Sequence, residues 1–367
     1  MLPFGANLKD GIVNEGNVYR LKKVFKKMEA GEAVSIGFLG GSITEGAWST
    51  SHDKRYAAKT TQWLKDYFKN DKIEATIAGI GATTSLLGLF RAERDLLFAK
   101  PELIFVDFTV NDFEEDETMP SEYESLIRKL LSEPNAPAIV MLAYCKNTGW
   151  NNEKAHAPIA KHYGIPYISY RDAYFPLVEK GTIAWEDISP DKVHPNDDGH
   201  AAAAALYGAF FEKIIAGEIG EDTPYEIPTE LCYGLEFKNP RFMTAENLEP
   251  CDMGGFVVET SPWRSVKAFS AKEKNKPLVI KAKARHIGVG YLHWGDNTFG
   301  TAKLKIDDKE FILEGFFDIT WEGEMRAITL ATNLENKEHT ISVELLDEHD
   351  EKATGEKFML TYLFLAE

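Results

Sequence analysis

The stretch Val34-Ser35-Ile36-Gly37-Phe38-Leu39-Gly40-Gly41-Ser42-Ile43-Thr44 is a short apolar run that stops at a glycine pair and passes straight into a hydroxyl. Six residues with almost no polar alternation fit a strand buried on both faces, as in a parallel sheet. Four further runs have the same texture: Ile73–Ile77, Leu103–Phe108, Ala138–Leu142 and Pro166–Ser169. Between and after them lie helix-like segments, Thr60–Lys69, Leu86–Phe98, Ser121–Leu131, Ala155–His162 and Asp198–Ala216. Ser121 followed three residues later by Glu124 has the spacing of a capping box and predicts that the third helix starts there. Strand–helix alternation of this kind predicts an α/β domain with a doubly wound, flavodoxin-like parallel sheet.

The texture changes beyond the last of these helices. Gly217-Glu218-Ile219-Gly220-Glu221-Asp222-Thr223-Pro224 is polar and turn-rich, and Pro228 follows. A boundary is expected here, dividing the chain into 1–222 and 223–367. Later segments show period two. Ala302-Lys303-Leu304-Lys305-Ile306 alternates, Asp307-Asp308 offers a turn, and Phe311-Ile312-Leu313 resumes; His339–Leu345 and Phe358–Leu365 read similarly. An all-β sandwich of jelly-roll type is the expectation for this part.

The chain has 367 residues, with 41 Lys and Arg against 58 Asp and Glu, a formal net charge of −17. That balance argues against nucleic acid or an anionic membrane as partner, since both repel a negative surface. Three cysteines, Cys145, Cys232 and Cys251, are too few and too scattered for a disulfide framework or a zinc site. The opening residues have no basic stretch followed by an apolar one, and no run of apolar residues is long enough to span a bilayer. A cytoplasmic location is expected, although a chain whose leader had been removed would read the same. Whether the protein forms a homo-oligomer stays open.

In an open parallel sheet, ligands bind at the carboxyl ends of the strands. After the first strand comes Gly40-Gly41-Ser42-Ile43-Thr44, after the second Ala78-Gly79-Ile80-Gly81-Ala82-Thr83, and after the third Thr109-Val110-Asn111-Asp112. Asp191-Lys192-Val193-His194 precedes the final helix. Together these supply a hydroxyl, a small-residue loop, a carboxamide and an Asp/His pair, the parts for acyl transfer through a serine. His194 can take the proton of Ser42, and Asp191, three residues earlier, can fix the imidazole tautomer. Candidate oxyanion donors are the Ser42 N–H, an N–H from Gly81 or Ala82, and the Asn111 side chain. No His-Glu-x-x-His, Walker or dinucleotide motif is present, so neither a metal nor a cofactor is expected.

These blocks, in this order, resemble the SGNH hydrolases, also called GDSL-type esterases. The resemblance covers roughly residues 17–216, with Gly41-Ser42 in the first block, Asn111-Asp112 in the third and Asp191-x-x-His194 in the last. Asn17-Val18-Tyr19-Arg20-Leu21-Lys22-Lys23 and the string from Gly40 to Ala47 are similar to a bacterial branch that joins an SGNH domain to a C-terminal β-sandwich. That branch includes acetyl esterases acting on hemicellulose fragments. The resemblance therefore implies a serine esterase that removes O-acetyl groups from xylan- or mannan-derived oligosaccharides through an acetyl-enzyme on Ser42. Three departures stand out. Gly41 replaces the family's Asp, Ala82 occupies the second-block Gly position with Gly81 before it, and Thr109 replaces the Gly two residues before Asn111.

An α/β-hydrolase is disfavoured, because Thr44 stands where a nucleophile elbow has Gly and His194 follows Asp191 too closely. Two other functions fit the sequence less well: a lipid or lysophospholipid esterase of the same fold, and a carbohydrate-binding protein on an inactive scaffold. No long apolar segment favours the former, and the filled polar positions disfavour the latter. Trp48 either lines a substrate pocket or packs in a core. Trp294, with Trp263 and Trp321 as neighbours in type, suits sugar stacking or a sandwich core. His156 and His162 read as surface histidines, and His200 as helix surface or packing. Asp112 is expected to brace its loop by hydrogen bonding.

Overall fold

The run that opens the sequence argument forms strand β2 (Val34–Gly40), an interior strand next to the edge of a six-stranded sheet. In this computed structural model, which describes residues 2–319 and 322–367, the sheet also contains β1 (Ile12–Asn14), β3 (Ile73–Gly79), β4 (Leu103–Asp107), β5 (Ala138–Ala143) and β6 (Tyr167–Ser169). Their order is β1-β6-β5-β4-β2-β3. The last five strands named pair in parallel, and only β1 runs antiparallel, against β6. Setting β1 aside, the order is that of a flavodoxin-like sheet. β4 and β5 are buried along their whole length, which is why their sequences show no polar alternation. Phe38 pairs in register with Phe105 on the neighbouring strand, and their rings stack with centroids 4.6 Å apart.

Among the described residues, eight α-helices accompany this sheet: α1 (Tyr19–Glu29), α2 (Ser42–Glu45), α3 (Tyr56–Phe68), α4 (Ser85–Asp95), α5 (Met119–Leu131), α6 (Glu153–His162), α7 (Tyr170–Glu179) and α8 (Asp197–Ile215). The sequence reading missed α1, whose buried Leu21, Val24, Phe25 and Met28 lie on one helical face between lysines. It also missed α7, which follows β6 without a loop and carries Pro176 inside it, and the short strand β1. α8 is entered as expected through Asn196, whose side chain accepts the Gly199 N–H at 2.9 Å.

The capping-box expectation is corrected. α5 begins at Met119 with Pro120 in its first turn, so Ser121 lies inside the helix. Glu124 does different work. It is fully buried and accepts the Tyr163 hydroxyl and the main-chain N–H groups of Cys232 and Tyr233. These bonds also move the boundary. The chain divides into two units, Met1–Glu236 and Phe237–Glu367, later than the expected 222/223. The Tyr225 hydroxyl donates to Tyr163 O and Arg128 pairs with Glu236, so the turn-rich segment is fastened to the first unit.

The second unit is built of antiparallel strands: β7 (Arg241–Thr244), β8 (Phe256–Thr260), β9 (Lys267–Ala271), β10 (Leu278–Ala284), β11 (His286–Trp294), β12 (Thr301–Ile306), β13 (Lys309–Glu314), β14 (Gly323–Ala331), β15 (Lys337–Leu345) and β16 (Met359–Ala366). One sheet has the order β10-β15-β12-β13; the other has β14-β11-β16-β9-β8, with β7 paired to β16. Asp307-Asp308 is the two-residue turn between β12 and β13, where Ile306 faces Lys309. Leu304, Ile306, Ile280 and Val343 belong to one buried apolar cluster, and the intervening lysines of β12 turn away from it. Trp321 lies outside the described residues. Among the described residues, no helix is long and apolar enough to cross a membrane.

Candidate active site

Ser42 opens α2 immediately after β2 ends at Gly40. The two glycines before it are required by close approach. A Cβ on Gly40 would meet Thr44 Oγ1 at 2.2 Å and Asp107 O at 2.5 Å. A Cβ on Gly41 would meet Asn111 Oδ1 at 2.3 Å. The first departure from the family pattern thus makes room for the carboxamide of the third block.

Three side chains expected to act together are brought together. Ser42 Oγ lies 2.8 Å from His194 Nε2, and His194 Nδ1 lies 2.7 Å from Asp191 Oδ2. The turn that presents this pair is tied down from inside. Asp191 Oδ1 accepts the N–H groups of Val193 and His194, each at 2.7 Å, and Ser189 Oγ donates to His194 O at 2.7 Å. Partial burial raises the Asp191 carboxyl, but the hydrogen bonds from the His194 ring and from the two backbone N–H groups outweigh it, and its pKa is lowered. Asp191 is therefore a carboxylate at neutral pH. A carboxylate at Nδ1 selects the tautomer with a free lone pair on Nε2, facing Ser42.

Trp48 sits in neither a core nor an apolar pocket. Its side chain is 59% exposed, and its indole Nε1–H donates to Asp191 Oδ2 at 2.8 Å. Its backbone is left-handed, with φ +62°. The loop that carries it is fixed by Thr50 N and Lys54 Nζ, both bound to Asp197. His200 supports the preceding residue: Tyr56 N–H donates to its Nδ1 and its Nε2 lies 3.2 Å from Ala47 O. Burial lowers the His200 pKa to about 4, so it is a neutral packing residue. Trp294, by contrast, is only 8% exposed at the end of β11 and presents almost none of its indole to solvent; Trp263 is equally buried.

The second block separates its two candidates. The Gly81 N–H donates to Glu45 Oε2 at 2.7 Å and is engaged. Ala82, at φ +55°, makes no main-chain hydrogen bond through its N–H among the described residues. Asn111 is held by its own backbone N–H, which donates to Phe108 O at 2.9 Å. Its carboxamide lies against Gly41 and makes no hydrogen bond of its own among the described residues. Two donors beside Ser42 are thus left unspent.

Behind Asn111 stands a buried support in which Asp112 braces the loop as expected, while sequence reasoning misjudged its partner His156. Asp112 Oδ1 accepts the Ser85 N–H at 2.8 Å, and its Oδ2 lies 3.0 Å from His156 Nε2. His156 is wholly buried and stacks on Tyr123 with centroids 3.7 Å apart, so it is no surface residue. The partner that draws it inside is far away in sequence. His162 is half-buried and bonds Glu230 O. Thr109, the third departure, has a structural use too. Its hydroxyl donates to Asp107 Oδ1 and accepts the Tyr144 N–H, each at 3.0 Å, which links the ends of β4 and β5. Asp107 itself is fully buried, and desolvation raises its pKa to about 7.

The family model for GDSL-like lipase/acylhydrolase matches residues 38–202. None of the curated proteins matches the chain. Among solved structures, a two-domain esterase (CEX) active on acetylated mannans is similar over its whole length, with 31% identity, a TM-score of 0.89 and 99% of each chain covered. The same esterase co-crystallised with mannopentaose gives 31% identity, a TM-score of 0.88 and coverage of 99% and 98%. An acetyl xylan esterase, AlAXEase, is similar at 20% identity and a TM-score of 0.40, covering 48% of this chain and 99% of its own.

Proposed function

Because this chain belongs to the GDSL-like lipase/acylhydrolase family and is a carboxylic ester hydrolase, we propose that it removes O-acetyl groups from hemicellulose-derived oligosaccharides, mannan-derived ones first, through an acetyl-enzyme on Ser42. The observation that carries the reading is the Ser42–His194–Asp191 relay, with contacts of 2.8 and 2.7 Å. The full-length likeness to an esterase active on acetylated mannans supports the sugar and the acetyl group.

In this reading Ser42 Oγ attacks the acetyl carbonyl carbon while His194 Nε2 takes the hydroxyl proton. Asp191 keeps the ring oriented and stabilises the imidazolium. The Ser42 N–H, the Ala82 N–H and the Asn111 amide receive the negative charge that develops on the carbonyl oxygen. The bond between the acyl carbon and the sugar oxygen then breaks, and His194 returns its proton to the departing sugar oxygen. A water attacks the acetyl-serine with His194 again as base, and acetate leaves. The chain's negative charge does not hinder a neutral sugar and disfavours retention of acetate.

The test is acetate release from acetylated manno- and xylo-oligosaccharides, followed position by position. Ser42→Ala should abolish it. Turnover retained in that variant, or a marked preference for octanoate over acetate esters in the wild type, would overturn the reading.

A further inference from the structure

The loop after β5, residues 144–152, supplies none of the proposed catalytic residues, yet it is anchored to both sides of the site. Asn147 N–H donates to Lys192 O at 2.8 Å, two residues before His194. Asn152 N–H donates to Thr109 O at 2.8 Å, two residues before Asn111. Lys146 N–H closes the loop on Trp150 O at 2.9 Å. Loops after parallel strands are where this fold builds ligand contacts.

Three side chains meet there. Lys146 Nζ lies 4.2 Å from the centroid of the Trp150 ring and 5.5 Å from that of Phe113, the second residue after Asn111. Phe113 is 50% exposed, so it is not a core residue. Lys146 is half-buried, and desolvation lowers its pKa against the opposing pull of Glu115. Among the described residues its ammonium pairs with no carboxylate, although the chain is strongly acidic; Glu114, which follows Phe113, is taken by Lys154.

An ammonium spread between two aromatic faces is unsuited to an acyl chain, which would have to bury it. A sugar ring fits it better. The C–H face of a pyranose packs on an indole or phenyl ring, and its hydroxyls accept hydrogen bonds from an ammonium. Glu115, whose charge acts on Lys146, opposes a sugar bearing a carboxylate. Building on the acetyl-esterase reading, we infer that Phe113, Lys146 and Trp150 form a subsite for a neutral sugar unit adjoining the acetylated one.

The test compares acetylated mannopentaose with 4-nitrophenyl acetate, which has no neighbouring sugar. In Trp150→Ala, the ratio of kcat/KM on the oligosaccharide to that on the small ester should fall about tenfold, mainly through KM on the oligosaccharide. Lys146→Met, which keeps the stem, should lower the ratio a few-fold. Calorimetry of unacetylated mannopentaose with Ser42→Ala and with Ser42→Ala/Trp150→Ala gives a readout without chemistry, and the second protein should bind about tenfold more weakly. An unchanged ratio with unchanged binding overturns the subsite alone. A wild type that cleaves 4-nitrophenyl acetate but releases no acetate from any oligosaccharide overturns the acetyl-esterase reading, and the subsite with it.

Discussion

The indole N–H of Trp48 and the ring N–H of His194 both end on the same oxygen of Asp191, at 2.8 and 2.7 Å. The tryptophan holds the carboxylate from outside the Asp191–His194 turn in sequence, and it does so from a left-handed backbone that a bulky residue rarely adopts. A hydrogen bond to a charged group is worth about 1.5–3 kcal/mol. Trp48→Phe keeps the ring and removes the donor. On 4-nitrophenyl acetate, kcat should fall by roughly tenfold, the rate equivalent of the lower end of that range. A value within twofold of wild type would mean that Asp191 is positioned by its own turn alone.

On the proposed mechanism, Asn111→Ala removes a donor that contacts only the developing charge. Loss of one such donor costs about 2.7–4 kcal/mol in the transition state, so kcat should fall by roughly 10²–10³ while KM changes little. Steady-state kinetics on acetylated mannopentaose would check this. A rise in KM with kcat preserved would assign Asn111 to ground-state binding.

Gly41→Ala should mimic part of that loss, because the added Cβ drives into the Asn111 carboxamide. The two changes act through one side chain, so they should not add. In an Asn111→Ala background, Gly41→Ala should cost little further activity. Full additivity would show that Gly41 serves something other than Asn111.

Two buried groups give opposite slopes of stability against pH. His200 has its folded pKa depressed to about 4, so stability is present above the unfolded value and is lost as pH falls from about 6.5 towards 4. Asp107 has its folded pKa raised to about 7, so its contribution is present below about 4 and is lost as pH rises towards 7. The slopes oppose each other across the same window. Urea midpoints between pH 4 and 8 should rise with pH more steeply in Asp107→Asn than in wild type, and should fall with pH in His200→Gln. Parallel curves for all three proteins would refute the assignment of either group.

Much of this was written in local pattern. The parallel strands are continuous apolar runs because both faces of β4 and β5 are covered, and Asp191 and His194 share one turn, so their pairing needs no distant partner. What escaped notice depends on residues remote in the chain. His156 looks like any helix-surface histidine until Asp112, forty-four positions away, meets it. Nothing near Glu45 announces that it will take the Gly81 N–H, and nothing near Trp48 announces Asp191. The loop after β5 could have been found by asking of the fourth parallel strand what was asked of the other four.

The bonds on Glu124 carry a lesson for anyone who wants to dissect the protein. A truncation at 222, where the sequence invites the cut, would strip a fully buried carboxylate of two main-chain donors and leave Arg128 without Glu236. Each hydrogen bond to a buried charged group is worth about 1.5–3 kcal/mol, so losing both is a large share of the net stability of a domain. A first half ending at 236 keeps that clasp shut. The stretch that reads as a tether is the final stitch of the hydrolase unit.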